Sequence, residues 1–365
     1  MNYLVLGGGI AGVSLALRLG MEGEDVTLVD RMKRGGGATA RSAGVVTVQL
    51  ESEEEVRIAK KTIEILEKIM DNDDGESTGL VNRGFISIED EEDAWETKEI
   101  LKKAGVEFEQ LDFRDASHKW KDVRFQEGEI ITHTWIDMGV EPATLLEFLK
   151  RKAVELGVDI RPYEVSRLSL SKRYVDFVET SGGRLKAEVV FLCMGPWNRR
   201  ILSNIGVSIP VWIIKCPAHR FRINVDVPAF ADEVHQSYWR PGFGGTIVGG
   251  GYHAEPCSNP DECLDKPNPD FGRDAERLLR LRINGEVELV DEWSGPCSIP
   301  PDFEPIVGKL EGFENLYIID GLRGYGLIKG VALAQSLAEE VMGLRPSIKL
   351  EPYSPSRFAA LDLKA

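Results

Sequence analysis

The chain is short of the residues that mark metal sites, disulfide scaffolds, membrane spans and nucleic-acid grooves. Its five histidines are scattered, with no His-x-x-x-His spacing, and its five cysteines (Cys193, Cys216, Cys257, Cys263, Cys297) form no Cys-x-x-Cys pair. An odd number at such spacings is the pattern of a reduced compartment, neither a disulfide framework nor a zinc site, and no metal is expected. Basic residues are outnumbered, 44 against 60 acidic ones. That argues against nucleic acid as a partner, since phosphate binding needs a positive footprint. The charge is dispersed rather than blocked, as on a solvated surface. No apolar run is long enough to span a bilayer. The apolar start is cut by three glycines and by Arg18 and has no basic region before it, so it reads as part of the fold and not as a signal peptide. The expectation is a soluble, cytoplasmic chain. Repeats and low-complexity linkers are missing too, and 365 residues suggest two domains.

What is present begins at once. Leu4-Val5-Leu6 runs into Gly7-Gly8-Gly9-Ile10-Ala11-Gly12, an apolar helix follows from Val13 to Leu19, and a second apolar strand ends in Asp30. This is a βαβ unit for a dinucleotide. Gly7 allows the tight turn, Gly9 lets the backbone approach a pyrophosphate, and Gly12 lets helix and strand pack closely. The helix N-terminus, at Ile10 and Ala11, offers unpaired N–H groups to the anion, and Asp30 stands where it would hydrogen-bond ribose hydroxyls.

Further along, a Gly-rich loop (34–44) precedes an amphipathic helix from Glu53 to Met70, whose apolar Val56, Ile63, Leu66 and Met70 fall at helical spacing. Gly84 to Ile88 reads as a strand and Ala94 to Ala104 as a helix. Glu141-Pro142 opens a helix that runs to Leu156 and is ended by Gly157. Val158-Asp159-Ile160 and Val189 to Cys193 read as buried strands. From Phe221 to Val290 the pattern is mostly short alternating strands. Leu316 to Asp320 reads as a strand again, followed by a Gly-rich turn and a helix from Val331 to Met342. The fold class expected is α/β: a discontinuous Rossmann-like nucleotide domain (1–80, 140–210, 292–365) interrupted by an antiparallel β-sheet substrate domain (81–139, 211–291).

Five segments, in order, resemble the D-amino-acid oxidase family of flavoenzymes, which includes glycine oxidase, sarcosine oxidase and dye-linked proline dehydrogenases. They are the βαβ unit; Gly37-Ala38-Thr39 through Gly44-Val45-Val46; Glu141-Pro142 through Gly157 to Val165; Gly195-Pro196-Trp197; and Trp293-x-Gly295 through Asp302 and Gly308 to Asp320-Gly321-x-x-Gly324-x-Gly326. The resemblance implies FAD as cofactor. Arg31 would lie beside the ribose-binding acid, Thr39, Ala40, Arg41, Gly44 and Val46 along the flavin, and Val165 against the adenine. Gly195 and Trp197 complete that side. Gly324-Tyr325-Gly326-Leu327-Ile328, just before a helix, would bring N–H groups to the flavin carbonyls, where negative charge collects on reduction.

Tyr238 to Gly245 and Gly251-Tyr252-His253 are similar to the segment that lines the sarcosine oxidase pocket, which implies Tyr238 and His253 as pocket residues. Three positions depart from the family. The lysine that promotes reaction with oxygen is replaced by Gly249, the covalent flavin cysteine by Gly295, and a carboxylate-clamping arginine by Cys297. FAD is therefore expected to be non-covalent, and the substrate carboxylate partner must come from Arg240, Arg323, Lys329 or Arg41. The activity implied is oxidation of the C–N bond of a small amino acid or secondary amine by hydride transfer to flavin, with a dye, quinone or oxygen as acceptor and room for a partner subunit. C–O oxidation of a hydroxy acid or glycerol phosphate, or a flavin-bearing subunit of a larger complex, stay open.

Overall fold

A computed structural model of the protein describes residues 1–31, 37–71, 73 and 75–358. Arg34, Gly35 and Gly36 of the Gly-rich loop, and residues 359–365, lie outside the described residues.

The first strand, Asn2–Leu6, sits inside a six-stranded sheet because its side chains are apolar on both faces, and Leu4, Val5 and Leu6 are all buried. It pairs in parallel with Asp25–Val29 on one side and Val189–Leu192 on the other. The full order is Ile306–Lys309, Leu316–Asp320, Val189–Leu192, Asn2–Leu6, Asp25–Val29, Asp159–Arg161, with only Ile306–Lys309 antiparallel to its neighbour. The chain winds outward from Asn2–Leu6 in one direction and later returns on its other side. The crevice at the carboxyl ends of these strands is where such sheets take ligands. Asp159–Arg161, expected to be buried, is the edge strand and is half-exposed, since it has a neighbour on one side only.

Helices Ile10–Met21, Pro142–Glu155 and Gly326–Val341 pack together over one face of this sheet, with Leu15, Leu19, Leu149 and Leu337 in their shared core. The last of them starts five residues before the expected Val331, because Gly326 and Gly330 disguise its first turn as part of the loop. The helix Glu53–Met70 appears as the apolar spacing predicts.

The second sheet joins distant parts of the chain. Its order is Glu255–Pro256, Trp212–Ile223, Thr246–Gly251, Ser237–Gly242, Ala229–Asp232, Leu80–Glu89, Ile130–Val140, Val45–Val46. Within this order its ladders are antiparallel except one: Ala229–Asp232 runs parallel to Leu80–Glu89 and welds the 80–140 segment to the 212–299 segment. Val287–Ile299 pairs along the whole of Trp212–Ile223, so it carries this sheet past the domain boundary expected at 292. The stretch read as strands between Phe221 and Val290 also holds a helix, Pro269–Arg282. Asn268 caps it and Pro269 starts it, but its buried stripe is narrow (Ala275, Leu278, Leu279) and its other faces are charged. A small third sheet, Val165–Ser171, Tyr174–Thr180 and Gly183–Leu185, packs beside the first.

One pair of cysteines departs from the reduced-thiol reading. Cys257 and Cys263 are joined as a disulfide across a short loop that folds back on itself. Among the described residues no helix is long and apolar enough to cross a membrane.

Candidate active site

A single cavity of about 750 Å³ runs from the glycine turn of the first sheet to the inner wall of the second. Its first half is built from backbone. Gly7 has φ +108°, and a Cβ at Gly12 would collide with the carbonyl oxygen of Gly7, so Gly12 works beneath the turn and not on the cavity wall. Two helices point their N-termini at this half, Ile10–Met21 and Gly326–Val341. Neither has a side-chain cap or an acidic residue in its first turn. The surface helices Glu53–Met70 and Glu91–Lys103 have both: Ser52 and Asp90 as caps, and three acids each in the first turn. The N–H groups that the surface helices satisfy internally are thus left at the cavity for an external anion. Thr39 takes one of them, its Oγ1 accepting from Ile10 N–H at 3.0 Å.

Asp30 and Asp320 bring carboxylates to this half from the ends of two strands that have two others between them. Asp320 is buried, and burial pushes it up to about 6 although the Ser298 hydroxyl, Gly321 N–H (2.6 Å) and Asn198 amide (3.0 Å) all donate to it. The disulfide loop closes the same end. Asp261 accepts from Arg31 Nη2 at 2.5 Å and from Trp197 Nε1 at 2.9 Å, while the Arg31 guanidinium lies 5.1 Å above the Trp197 ring. Burial works against its charge, yet these donors hold Asp261 below the usual carboxylate range.

The second half is a chamber walled by side chains. Phe85 and Ser87 alternate on Leu80–Glu89, and Ala231 stands opposite Ser87 on the parallel neighbour. Tyr238 is in register with Ala231, and its ring stacks on Tyr252 with centroids 5.8 Å apart. Gln49, Cys216, Glu233 and Cys297 complete the wall. Burial pushes the Tyr238 hydroxyl well above its ordinary value, so it stays a protonated donor.

The residues expected at the cofactor divide cleanly. Gly7, Gly9, Ile10, Ala11, Asp30, Arg31, Thr39, Arg41, Gly44, Val165, Gly195, Trp197 and Gly324 to Ile328 border the cavity. Gly12, Ala40 and Val46 do not, and Val46 is buried in the main core. Of the substrate candidates, Tyr238 and His253 border it, but His253 Nε2 lies 2.9 Å from Asp274 and its ring stacks on Phe271 at 4.6 Å, so it is engaged with the helix Pro269–Arg282. Arg240 is off the cavity. It is fully buried, donating to Ala43 O and Pro241 O and paired with Glu141 at 3.0 Å. Lys329 is also off it, buried against Glu55. Arg323 shares Glu55 at 2.7 Å but borders the cavity, with its buried Nε lacking a partner. Arg41 borders it while donating to Ser294 O and Leu264 O. Gly249 lies inside Thr246–Gly251, where a Cβ would collide with Tyr238 O and the Trp239 ring; a lysine cannot stand there. Gln49, Glu233 and Asp261 were not singled out from sequence, since nothing local marks a residue that reaches a cavity from a loop.

A dinucleotide cradle opening directly into a side-chain chamber is the plan of a flavin-dependent oxidoreductase, and the uncapped helix ends, ribose-side carboxylates and cavity fit FAD. Residues 2–340 match the FAD dependent oxidoreductase (DAO) family, and the chain belongs to it. It is an FAD-dependent oxidoreductase. Among its relatives is the uncharacterized oxidoreductase YurR of Bacillus subtilis (strain 168), 27% identical over 97% of this chain and 98% of the relative. The 4-methylaminobutanoate oxidase (formaldehyde-forming) of Paenarthrobacter nicotinovorans is 24% identical over 98% of this chain, which spans only 46% of that protein. The crystal structure of L-proline dehydrogenase from P. horikoshii superposes with a TM-score of 0.87, covering 98% of this chain and 97% of that one at 24% identity.

Proposed function

We propose that the enzyme oxidises the C–N bond of a small amino acid or secondary amine of the glycine, sarcosine or proline kind. The observation that carries this reading is the chamber itself: it is continuous with the cradle, and the Glu233 carboxylate on its wall, which accepts the Tyr252 hydroxyl, is an acceptor suited to a substrate N–H. That a 4-methylaminobutanoate oxidase is among the relatives supports it. When bound, FAD supplies the two-electron acceptor for a hydride from the carbon next to nitrogen. The protein binds, orients and excludes water. Phe85, Tyr238 and Tyr252 offer flat surfaces that hold a small substrate in one orientation. Tyr325, Gly326 and Leu327, at an uncapped helix N-terminus, would hold the electron-rich edge of the ring. Arg323, which borders the cavity, is the cation placed to take a substrate carboxylate. The imine product hydrolyses in water to the oxo compound.

FAD is held without a covalent bond, since Gly295 stands at the family's attachment position. Acid should release the pigment from the yellow protein, and colour retained by the denatured chain would refute this. With no lysine possible at Gly249, turnover with a dye or quinone should outrun turnover with oxygen. Stopped-flow reoxidation decides that point: faster reaction with air-level oxygen than with dye would overturn it. The central test is anaerobic bleaching of the flavin. Sarcosine, L-proline or glycine should bleach it, whereas bleaching by lactate or glycerol phosphate alone would mean C–O oxidation. No bleaching by any of them would make the chain a flavin-bearing subunit.

A further inference from the structure

Glu233 occupies a position that the fold prepares with care. Its backbone N–H is held by Ile88 O at 3.0 Å, which extends the parallel ladder by one residue beyond Asp232. The two-residue period of that ladder then puts Glu233 on the same wall as Ala231, Ser87 and Phe85. Its carboxylate accepts the Tyr252 hydroxyl, at 3.2 and 3.4 Å, and among the described residues no lysine, arginine or histidine forms an ion pair with it. The neighbouring Asp232 is different: Arg282 grips both of its oxygens.

The groups that face Glu233 are all acidic or neutral: Glu89 from Leu80–Glu89, Asp93 from Glu91–Lys103, Asp232 beside it, and Tyr252 and Tyr325. Burial first, then these like charges, push it up to about 7. A second acceptor borders the same chamber. Gln49 Nε2 donates to Phe85 O, Thr132 O and Thr134 Oγ1 at 2.8–3.2 Å, which fixes the orientation of its amide and leaves Oε1 buried without a partner. A wall that presents a carboxylate with no cationic partner is built for a cation that donates hydrogen bonds.

Resting on the amine reading above, we propose that Glu233 is a catalytic residue that binds the substrate ammonium and takes its proton before oxidation. The balance is simple. An N–H bond of the ammonium breaks and an O–H bond forms on Glu233, leaving a neutral amine and a carboxylic acid. Only then is the nitrogen lone pair free to form C=N as the C–H electron pair leaves with its hydrogen to the bound cofactor. Glu233 regains its charge when Tyr252, half-exposed, gives its hydroxyl proton to water and takes the Glu233 proton in its place, which leaves the phenol neutral. The tuning suits the task, because a base poised near neutrality can both take the proton and lose it.

The test is equilibrium binding of 2-aminoisobutyrate and tert-butylamine, amines with no hydrogen on the carbon next to nitrogen, to the FAD-loaded protein, read from the flavin absorption spectrum from about pH 6 to 9. Wild type should bind at least one of these amines, with an apparent pKa near 7 in the binding profile. Glu233→Gln should retain FAD, bind the same amine about tenfold or more weakly, and lose that limb. Glu233→Asp should recover part of it. A wild-type profile with no ionisation near neutrality overturns the proposal whether or not the variants fold, as does a Gln variant with unchanged affinity and profile. If these amines bind as expected but sarcosine, L-proline and glycine fail to bleach the flavin anaerobically, ammonium binding by Glu233 stands while its catalytic role and the oxidation reading fall. Bleaching that is identical in wild type and variant would do the reverse. If no amine perturbs the wild-type flavin, both fall.

Discussion

The two halves of the cavity are made of different material. The cradle is mostly main chain, a glycine turn and two uncapped helix ends, with strand-end carboxylates beside them, all carried by the first sheet and its helices. The chamber is made of side chains carried on the second sheet, whose two segments are joined in the sheet order by the parallel pairing of Ala229–Asp232 with Leu80–Glu89. Main-chain sites tolerate little change, since the group that binds is also the group that folds. Side-chain sites can be altered one residue at a time, which is how one cradle can serve many substrates.

That contrast is sharpest at Gly12. Gly12→Glu should abolish FAD retention altogether, because even its Cβ would collide with the carbonyl oxygen of Gly7 and so disturb the turn from beneath. A folded variant with full FAD occupancy would show that the cradle does not depend on this packing. No single substitution in the chamber should have that effect.

Arg240 tests where the boundary between the halves lies. Its guanidinium ties Ser237–Gly242 to Ala43 O and to Glu141, which Arg220 also contacts at 3.0 Å. Burial opposes the charge on Glu141, yet the two guanidinium groups keep it ionised, below the usual carboxylate range. Arg240→Ala removes one partner and leaves a largely buried carboxylate half-paired, so unfolding free energy should fall by about 3–5 kcal/mol. Denaturant titration measures this. A variant of normal stability with weakened substrate binding would put Arg240 in the site after all.

The difference in material also explains what could be read from the sequence. Gly7, Gly9, Asp30 and the turn Gly324 to Ile328 were legible because main-chain geometry writes itself into glycine spacing and apolar runs. Arg240 and Lys329 were taken for ligands because a basic residue near a pocket motif reads the same whether it faces a cavity or a buried acid. Their partners, Glu141 and Glu55, lie 99 and 274 residues away. Glu233 escaped notice for the same reason: its neighbours on the wall come from the strand Leu80–Glu89, and only the parallel register brings them together. The helix Pro269–Arg282 was hidden by the charged faces around its narrow apolar stripe.

Glu233 should reveal the cost of a chamber acid through stability. Its folded-state value, about 7, lies above the ordinary 4.5, so the folded protein holds this proton where the unfolded chain has lost it. The associated stability is complete below about pH 4.5 and is lost as pH rises through 7. Glutamine undergoes no such loss. Glu233→Gln should therefore match wild type near pH 4.5 and exceed it by up to about 3 kcal/mol above neutrality. Tm measured against pH for both proteins checks this, and parallel curves would mean that Glu233 is solvated in the folded state.

The smallest effect belongs to the clasp over the cradle. Asp261 comes from the loop of the second sheet yet grips Arg31 and Trp197 beside the first, so a side chain from the chamber's side helps hold the main-chain half shut. Its side chain is 40% exposed, and solvent screens the Arg31 pair, which limits the loss to about 1 kcal/mol. Asp261→Ala should speed FAD release roughly fivefold, read as the return of free-flavin fluorescence, with amine binding by the loaded protein unchanged. Reduction of the Cys257–Cys263 bond should act in the same direction, because the loop that presents Asp261 would lose its cross-link. If neither change alters the release rate, the loop only covers the cofactor, and retention rests on the glycine turn and the two helix ends alone.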